Sequence, residues 1–81
     1  MMVEVFKTNV IHKEEANMLI GLIHRAFAEY RANFDLDDCD SILRIKSISG
    51  TVRHACLITL LNDYGFNAEV LPDIIMRTQQ N

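Results

Sequence analysis

Residues 33–46 read NFDLDDCDSILRIK, with apolar residues at alternating positions on both sides of an acidic turn. This alternation is typical of the two strands of a hairpin. With a four-residue loop at the turn, Leu36 lies opposite Leu43 on one face, and Asp35 lies opposite Arg44 on the other. A slip of one residue would break the apolar and the charged pairs together, so the sequence predicts a hairpin in this register.

The segment before the hairpin predicts a strand and then a helix. Residues 2–8 are β-branched and aromatic with partial alternation, which favours a strand. A helix is predicted to begin at Lys13 and to end near residues 27–30, with Glu14 and Glu15 in its first turn, where the positive end of the helix dipole favours acids. Apolar residues then recur at helical spacing and predict the buried stripe. They are Ala16, Leu19, Ile20, Ile23 and Phe27.

The segment after the hairpin predicts a second helix over residues 52–64, with Ser49 or Thr51 available as the N-cap. Gly65 followed by Phe66 indicates a Schellman ending, and residues 68–71 form a last short strand before Pro72. The predicted core stripe of this helix comprises Val52, Ala55, Cys56, Thr59 and Leu60, widened by Leu57, Ile58 and Leu61.

The resulting order, βαββαβ, predicts an α+β fold of the ferredoxin-like type, a four-stranded antiparallel sheet with two helices on one face. We expect a single domain over residues 1–72 and a C-terminal tail over residues 73–81. The other face of the sheet is expected to meet solvent. It is predicted to carry Asp35, Arg44, Glu4 and Phe6.

Composition and charge argue against several classes of partner. The formal net charge is −3, and the basic residues are scattered along the chain, so neither nucleic acid nor a membrane is an expected partner. Single-stranded RNA would need exposed aromatic side chains on the sheet, and only Phe6 and Tyr30 are candidates. No signal peptide is recognised, and no apolar run approaches the ~20 residues that span a bilayer.

The two cysteines, Cys39 in the turn and Cys56 on the predicted core face, are expected to be free thiols. Free thiols are typical of a reducing compartment, which predicts a cytoplasmic protein. The carboxylates around Cys39 argue against its use as a nucleophile.

With this element order, the chain resembles the heavy-metal-associated domain family of small copper chaperones and metal-transport ATPase modules. The resemblance covers roughly residues 3–71 and implies the same ferredoxin-like fold. It rests on four segments: 6–10 (FKTNV), 34–37 (FDLD), 42–45 (ILRI) and 65–69 (GFNAE).

The resemblance also implies a metal site at the junction of the first strand and first helix. The family holds soft Cu(I) there between the two thiolates of a Cys-x-x-Cys motif. In this chain the corresponding positions are His12 and Glu15, so both thiols are absent. An imidazole and a carboxylate are acceptable ligands for Zn(II), but a useful zinc site needs three or four ligands.

These observations predict a small non-enzymatic interaction module, without a cofactor, whose partner is a protein or a second copy of the chain. The alternative is a metal-binding or metal-delivery protein that uses His12 and Glu15, completed by ligands from a dimer partner. An enzyme is not expected, because no nucleophile with an activating neighbour and no acid–base pair stands out in the sequence.

Overall fold

The computed structural model describes residues 2–37 and 39–71, so the predicted tail lies outside the described residues. Six elements follow one another in the predicted order, which confirms the α+β architecture. They are β1 (Met2–Thr8), α1 (Lys13–Ala26), β2 (Tyr30–Asp35), β3 (Ile42–Ser47), α2 (His54–Asp63) and β4 (Ala68–Leu71).

The four strands form one antiparallel sheet in the order β2-β3-β1-β4. Each helix connects two strands that are not neighbours, which is the ferredoxin-like βαββαβ arrangement that the sequence predicts. Strands β1 and β3 lie in the centre, and β2 and β4 form the two edges.

Both helices pack on the same face of the sheet, because side chains from both join one apolar cluster with side chains of the sheet. The stripe predicted for α1 is confirmed, because Ala16, Leu19 and Ile23 are buried. The other two residues of the stripe, Ile20 and Phe27, are partly buried. Neither of the two helices in the described part of the chain is long and apolar enough to cross a membrane.

The predicted hairpin forms, but the predicted register is wrong, because the strands pair with a shift of two residues. Leu43 lies opposite Phe34 rather than Leu36, and Arg44 lies opposite Asn33 rather than Asp35. A shift of two residues leaves every side chain on its predicted face, so the alternation cannot distinguish the two registers. Arg44 Nη2 still approaches Asp35 Oδ2 to 3.7 Å, now along a diagonal.

Contacts from β1 explain why the loop of this hairpin is longer than predicted. The Thr8 backbone N–H donates a hydrogen bond to the carbonyl oxygen of Asp40 at 3.2 Å. Its hydroxyl donates to the carbonyl oxygen of Ser41 at 2.6 Å and accepts from the Val10 N–H at 3.2 Å. Residues 40–41 therefore bond to the end of β1 instead of extending the ladder with β2.

The face predicted for two residues of β1 is wrong, since Glu4 and Phe6 point toward the helices. Phe6 is completely buried, and its ring centroid lies 5.9 Å from that of His54 on α2. Glu4 Oε1 lies 3.3 Å from His54 Nε2, so the carboxylate contacts α2 at the margin of the core. The alternate residues Val3 and Val5 consequently point to the outer face.

The second helix begins later and is rotated relative to the prediction. Its N-cap is Arg53, whose side chain makes no capping bond, so neither Ser49 nor Thr51 has that role. Its buried residues are Leu57 and Leu61. By contrast, the predicted core residues Ala55, Cys56 and Thr59 are exposed.

The predicted Schellman ending of α2 is confirmed. The Phe66 N–H donates to the Leu61 carbonyl at 2.9 Å, and the Gly65 N–H donates to the Asn62 carbonyl at 3.0 Å. Gly65 has φ 88°, a left-handed conformation that glycine adopts without the steric cost of a Cβ atom. This turn directs the chain into β4.

Candidate interaction surface

The two positions suggested for a metal lie at the start of α1. His12 is the N-cap residue, its side chain is exposed, and its carbonyl accepts the Ala16 N–H at 3.0 Å. Glu15 lies in the first turn and is half-buried. Within residues 2–37 and 39–71, no group of three or more His, Cys, Asp or Glu side chains could hold a metal ion. A site at His12 and Glu15 would therefore need ligands from outside these residues.

Both cysteines are free thiols, as predicted, and both are exposed. The prediction that Cys56 is a core residue is wrong, because α2 is rotated so that Leu57 and Leu61 face the core and Cys56 is exposed. Cys56 instead lines a shallow depression of about 490 Å³ on the outward side of α2, together with Ala55, Thr59 and Tyr64.

The outer face of the sheet, which carries no helix, brings three basic side chains together. In the registers of the sheet, Arg31 of edge strand β2 lies directly opposite Lys46 of β3. Arg44 lies two residues from Lys46 on the same strand and therefore on the same face. We call Arg31, Arg44 and Lys46 the basic patch. They line a depression of about 210 Å³ on this face.

Within residues 2–37 and 39–71, only one member of the basic patch has a carboxylate partner. Arg44 contacts Asp35 at 3.7 Å, and both side chains are largely exposed. Arg31 Nη1 donates to the carbonyl oxygen of Tyr30 at 3.3 Å. Among the described residues, neither Arg31 nor Lys46 forms an ion pair. Because like charges directly opposite each other destabilise a sheet, the pair formed by Arg31 and Lys46 has an electrostatic cost.

Aliphatic side chains of β1 lie beside the basic patch. Val3 is directly opposite Lys46, and Val5 is directly opposite Arg44. Val3 is 47% exposed, although it belongs to a central strand. Aliphatic side chains of β1 thus lie next to cationic side chains of β3 and form a mixed surface on the outer face.

The sequence did not reveal this concentration of charge, because the basic residues are far apart along the chain. Four of the eight Lys and Arg residues lie on the outer face: Lys7, Arg31, Arg44 and Lys46. The outer-face acids on the described strands are Asp35 and Glu69. In the sequence, the period-two spacing of Arg44 and Lys46 indicates that these two cations share one face of β3. Only the observed register places Arg31 beside them.

The two aromatic residues considered for RNA stacking are buried. Tyr30 is 1% exposed, and its ring stacks on that of Phe27 with centroids 4.8 Å apart. Phe6 lies in the core. The outer face of the four described strands therefore carries no aromatic side chain, and it lacks the groups on which bases stack.

A second concave surface lies beside the edge strand β2. A groove of about 580 Å³ separates the first turns of α1 from the end of β2 and includes Lys13, Ile20, Phe34 and Asp37. Further along this edge, the Ala32 backbone N–H donates to His24 Nε2 at 3.1 Å. His24 therefore covers an edge N–H group that would otherwise be available to an added strand.

Comparison with known proteins does not assign a family. No family model matches the chain, and no significantly similar curated protein or solved structure is found. The resemblance to the heavy-metal-associated family therefore stays a prediction.

Proposed function

We propose that this chain is a non-enzymatic interaction module that binds a protein through the outer face of its sheet. The observation that carries the proposal is the mixed surface around Val3, Val5 and the basic patch. Sheet faces that serve only as solvent boundaries are typically polar. Here a central strand instead presents an exposed valine directly opposite Lys46, which forms no ion pair among the described residues.

A different protein suits this face better than a second copy of the chain. In a symmetric dimer the same patch lies on both sides of the interface. Two outer faces packed together would bring together two surfaces that each carry four basic side chains against two acids on the described strands. Such like-charge contacts disfavour association. Pairing of two β2 edges is opposed by His24, which already bonds the Ala32 N–H.

Two further features support an interaction role in the cytoplasm. The described residues contain no cluster of three or more metal-ligating side chains, which favours binding over metal handling. Cys39 and Cys56 are exposed free thiols. Exposed thiols stay reduced in the cytosol, whereas they oxidise in secretory compartments.

The proposal is tested by affinity capture from the source cell with two matched variants. Val3→Glu introduces an acid on the outer face, and Met18→Glu introduces the same acid at an exposed apolar residue of α1. The two side chains are 47% and 44% exposed, so the substitutions are comparable. We expect Val3→Glu to lose the proteins that the wild type captures and Met18→Glu to retain them, as quantified by mass spectrometry.

Two results would contradict the proposal: equal capture by both variants, or loss with both. Sedimentation of the purified wild type over a range of concentrations provides the complementary test. We expect a monomer. A dimer that Val3→Glu dissociates would make the partner a second copy of the chain.

A further inference from the structure

We infer that the partner presents an acidic segment that lies across Arg31, Arg44 and Lys46 and carries acidic side chains at every second position. This inference rests on the proposed function and names the chemistry of the partner. Its basis is the pair formed by Arg31 and Lys46, which lie directly opposite each other without an ion-pair partner among the described residues.

The charge of the outer face favours an acidic partner. The chain is acidic overall, with a formal net charge of −3, yet its outer face concentrates four basic side chains against two acids. An acidic partner would form attractive contacts with both Arg31 and Lys46, and these contacts would offset the repulsion between the two cations. The segregation also favours orientation of an acidic partner toward the sheet and away from the rest of the surface.

The spacing of the cations along β3 also fits an extended acidic segment. Arg44 and Lys46 are two residues apart on β3, which corresponds to about 7 Å along a strand. Acidic side chains at alternating positions of an extended segment have the same spacing. Val3 and Val5 lie beside these cations on β1 and have the same period. The acids of such a segment would therefore share one face and lie over the cations of β3.

A protein segment fits this face better than nucleic acid. The outer face of the described strands carries no aromatic side chain for base stacking. Asp35 lies at one edge of the sheet and Glu69 at the other, so a long phosphate backbone crossing the strands would meet negative charge on both sides. The valines contribute apolar contacts that a peptide can use and a phosphate chain cannot.

The test measures binding of short fluorescent peptides by anisotropy at low and high salt. The acidic probe reads Glu-Val-Glu-Ser-Glu-Val-Glu, and its neutral match has Gln at every Glu position. A single-stranded RNA of similar length is the third probe. We expect the acidic peptide to bind about tenfold more tightly than the neutral peptide at low salt, as for a few exposed ion pairs. We expect high salt to reduce this difference.

The variant Arg31→Gln with Lys46→Gln is expected to weaken the acidic peptide about tenfold and to leave the neutral peptide unchanged. The matched control is Lys13→Gln with Arg25→Gln, which removes the same charge from exposed positions of α1. This control should retain the preference for the acidic peptide. Circular dichroism verifies that both variants are folded, and the single variant Lys46→Gln replaces the double variant if the latter unfolds.

Several outcomes would overturn the inference. They are equal binding of the acidic and neutral peptides, equal losses in the patch variant and the control, and tighter patch-dependent binding of RNA than of the acidic peptide. If the Val3→Glu variant still loses its captured protein while no acidic preference appears, the proposed function stands and the acidic partner is refuted. If Val3→Glu captures the same proteins as the wild type, the proposed function itself fails.

Discussion

The phenol oxygen of Tyr30 accepts a hydrogen bond of 2.8 Å from the backbone N–H of Arg53. This bond joins the first residue of β2 to the residue that caps the start of α2. The Arg53 side chain makes no capping bond, and the tyrosine hydroxyl instead satisfies a backbone polar group at the start of the helix. The ring is buried and stacks on Phe27, which fixes the position of the hydroxyl.

We expect Tyr30→Phe to lower the free energy of unfolding by about 1–2 kcal/mol, because the Arg53 N–H loses its partner in a part-buried setting. Urea denaturation followed by circular dichroism measures the change. The control is Tyr64→Phe, which removes the hydroxyl of an exposed tyrosine and should have little effect. Equal losses in the two variants would show that the Tyr30 bond contributes nothing specific.

The order of elements could be predicted from the sequence because each element has a clear local signal. The stripe from Ala16 to Phe27 has helical spacing, the strands around the acidic turn alternate, and Gly65 marks the end of α2. These patterns depend on neighbours within a few residues. Local chemistry therefore suffices to derive the ferredoxin-like arrangement.

The predictions are wrong where contacts between residues far apart in the sequence determine which of two locally equivalent arrangements forms. Both hairpin registers keep Phe34 and Leu43 on the core face, and the bonds of Thr8 to residues 40–41 favour the longer loop. In α2 most residues from Ala55 to Leu61 are apolar, so helical periodicity identifies no single face. The candidate surface was missed for the same reason, since Arg31 meets Lys46 only in the observed register.

The rotation of α2 predicts opposite effects for adjacent residues. Cys56→Ser should change the free energy of unfolding by no more than about 0.5 kcal/mol, because the side chain is exposed. Leu57→Ala should lower it by about 2–5 kcal/mol, because Leu57 is completely buried in the core. Chemical denaturation measures both values. If Cys56→Ser were the more damaging change, the helix would have the orientation that the sequence predicted.

Thiol labelling provides an independent measurement of the same rotation. Both Cys39 and Cys56 should react with an aromatic disulfide reagent in the native protein about as fast as in denaturant, since both are exposed. The Cys39→Ser variant isolates the reaction of Cys56. Protection of Cys56 until the protein unfolds would contradict the exposed position.

The bond between His24 and the edge of β2 predicts a local change in hydrogen exchange. We expect His24→Ala to accelerate exchange of the Ala32 amide by about fivefold, because a bond worth about 1 kcal/mol is removed from an edge strand. Amide exchange followed by NMR measures the rate. The matched control is His12→Ala, which removes an imidazole that makes no cap bond and should leave the Ala32 rate unchanged. An unaltered Ala32 rate in His24→Ala would contradict protection of the edge by this side chain.

Metal titration distinguishes the interaction module from the metal-binding alternative. We expect untagged, reduced protein to bind Zn(II) and Cu(I) more weakly than micromolar, because the described residues contain no group of three or more metal-ligating side chains. Anaerobic competition with a chelator measures the affinity, and elemental analysis measures the metal content after purification. His12→Ala should behave as the wild type does, with His24→Ala as the matched control. Stoichiometric binding tighter than micromolar that is lost only in His12→Ala would instead establish a metal site at the start of α1, and it would make metal delivery the better hypothesis.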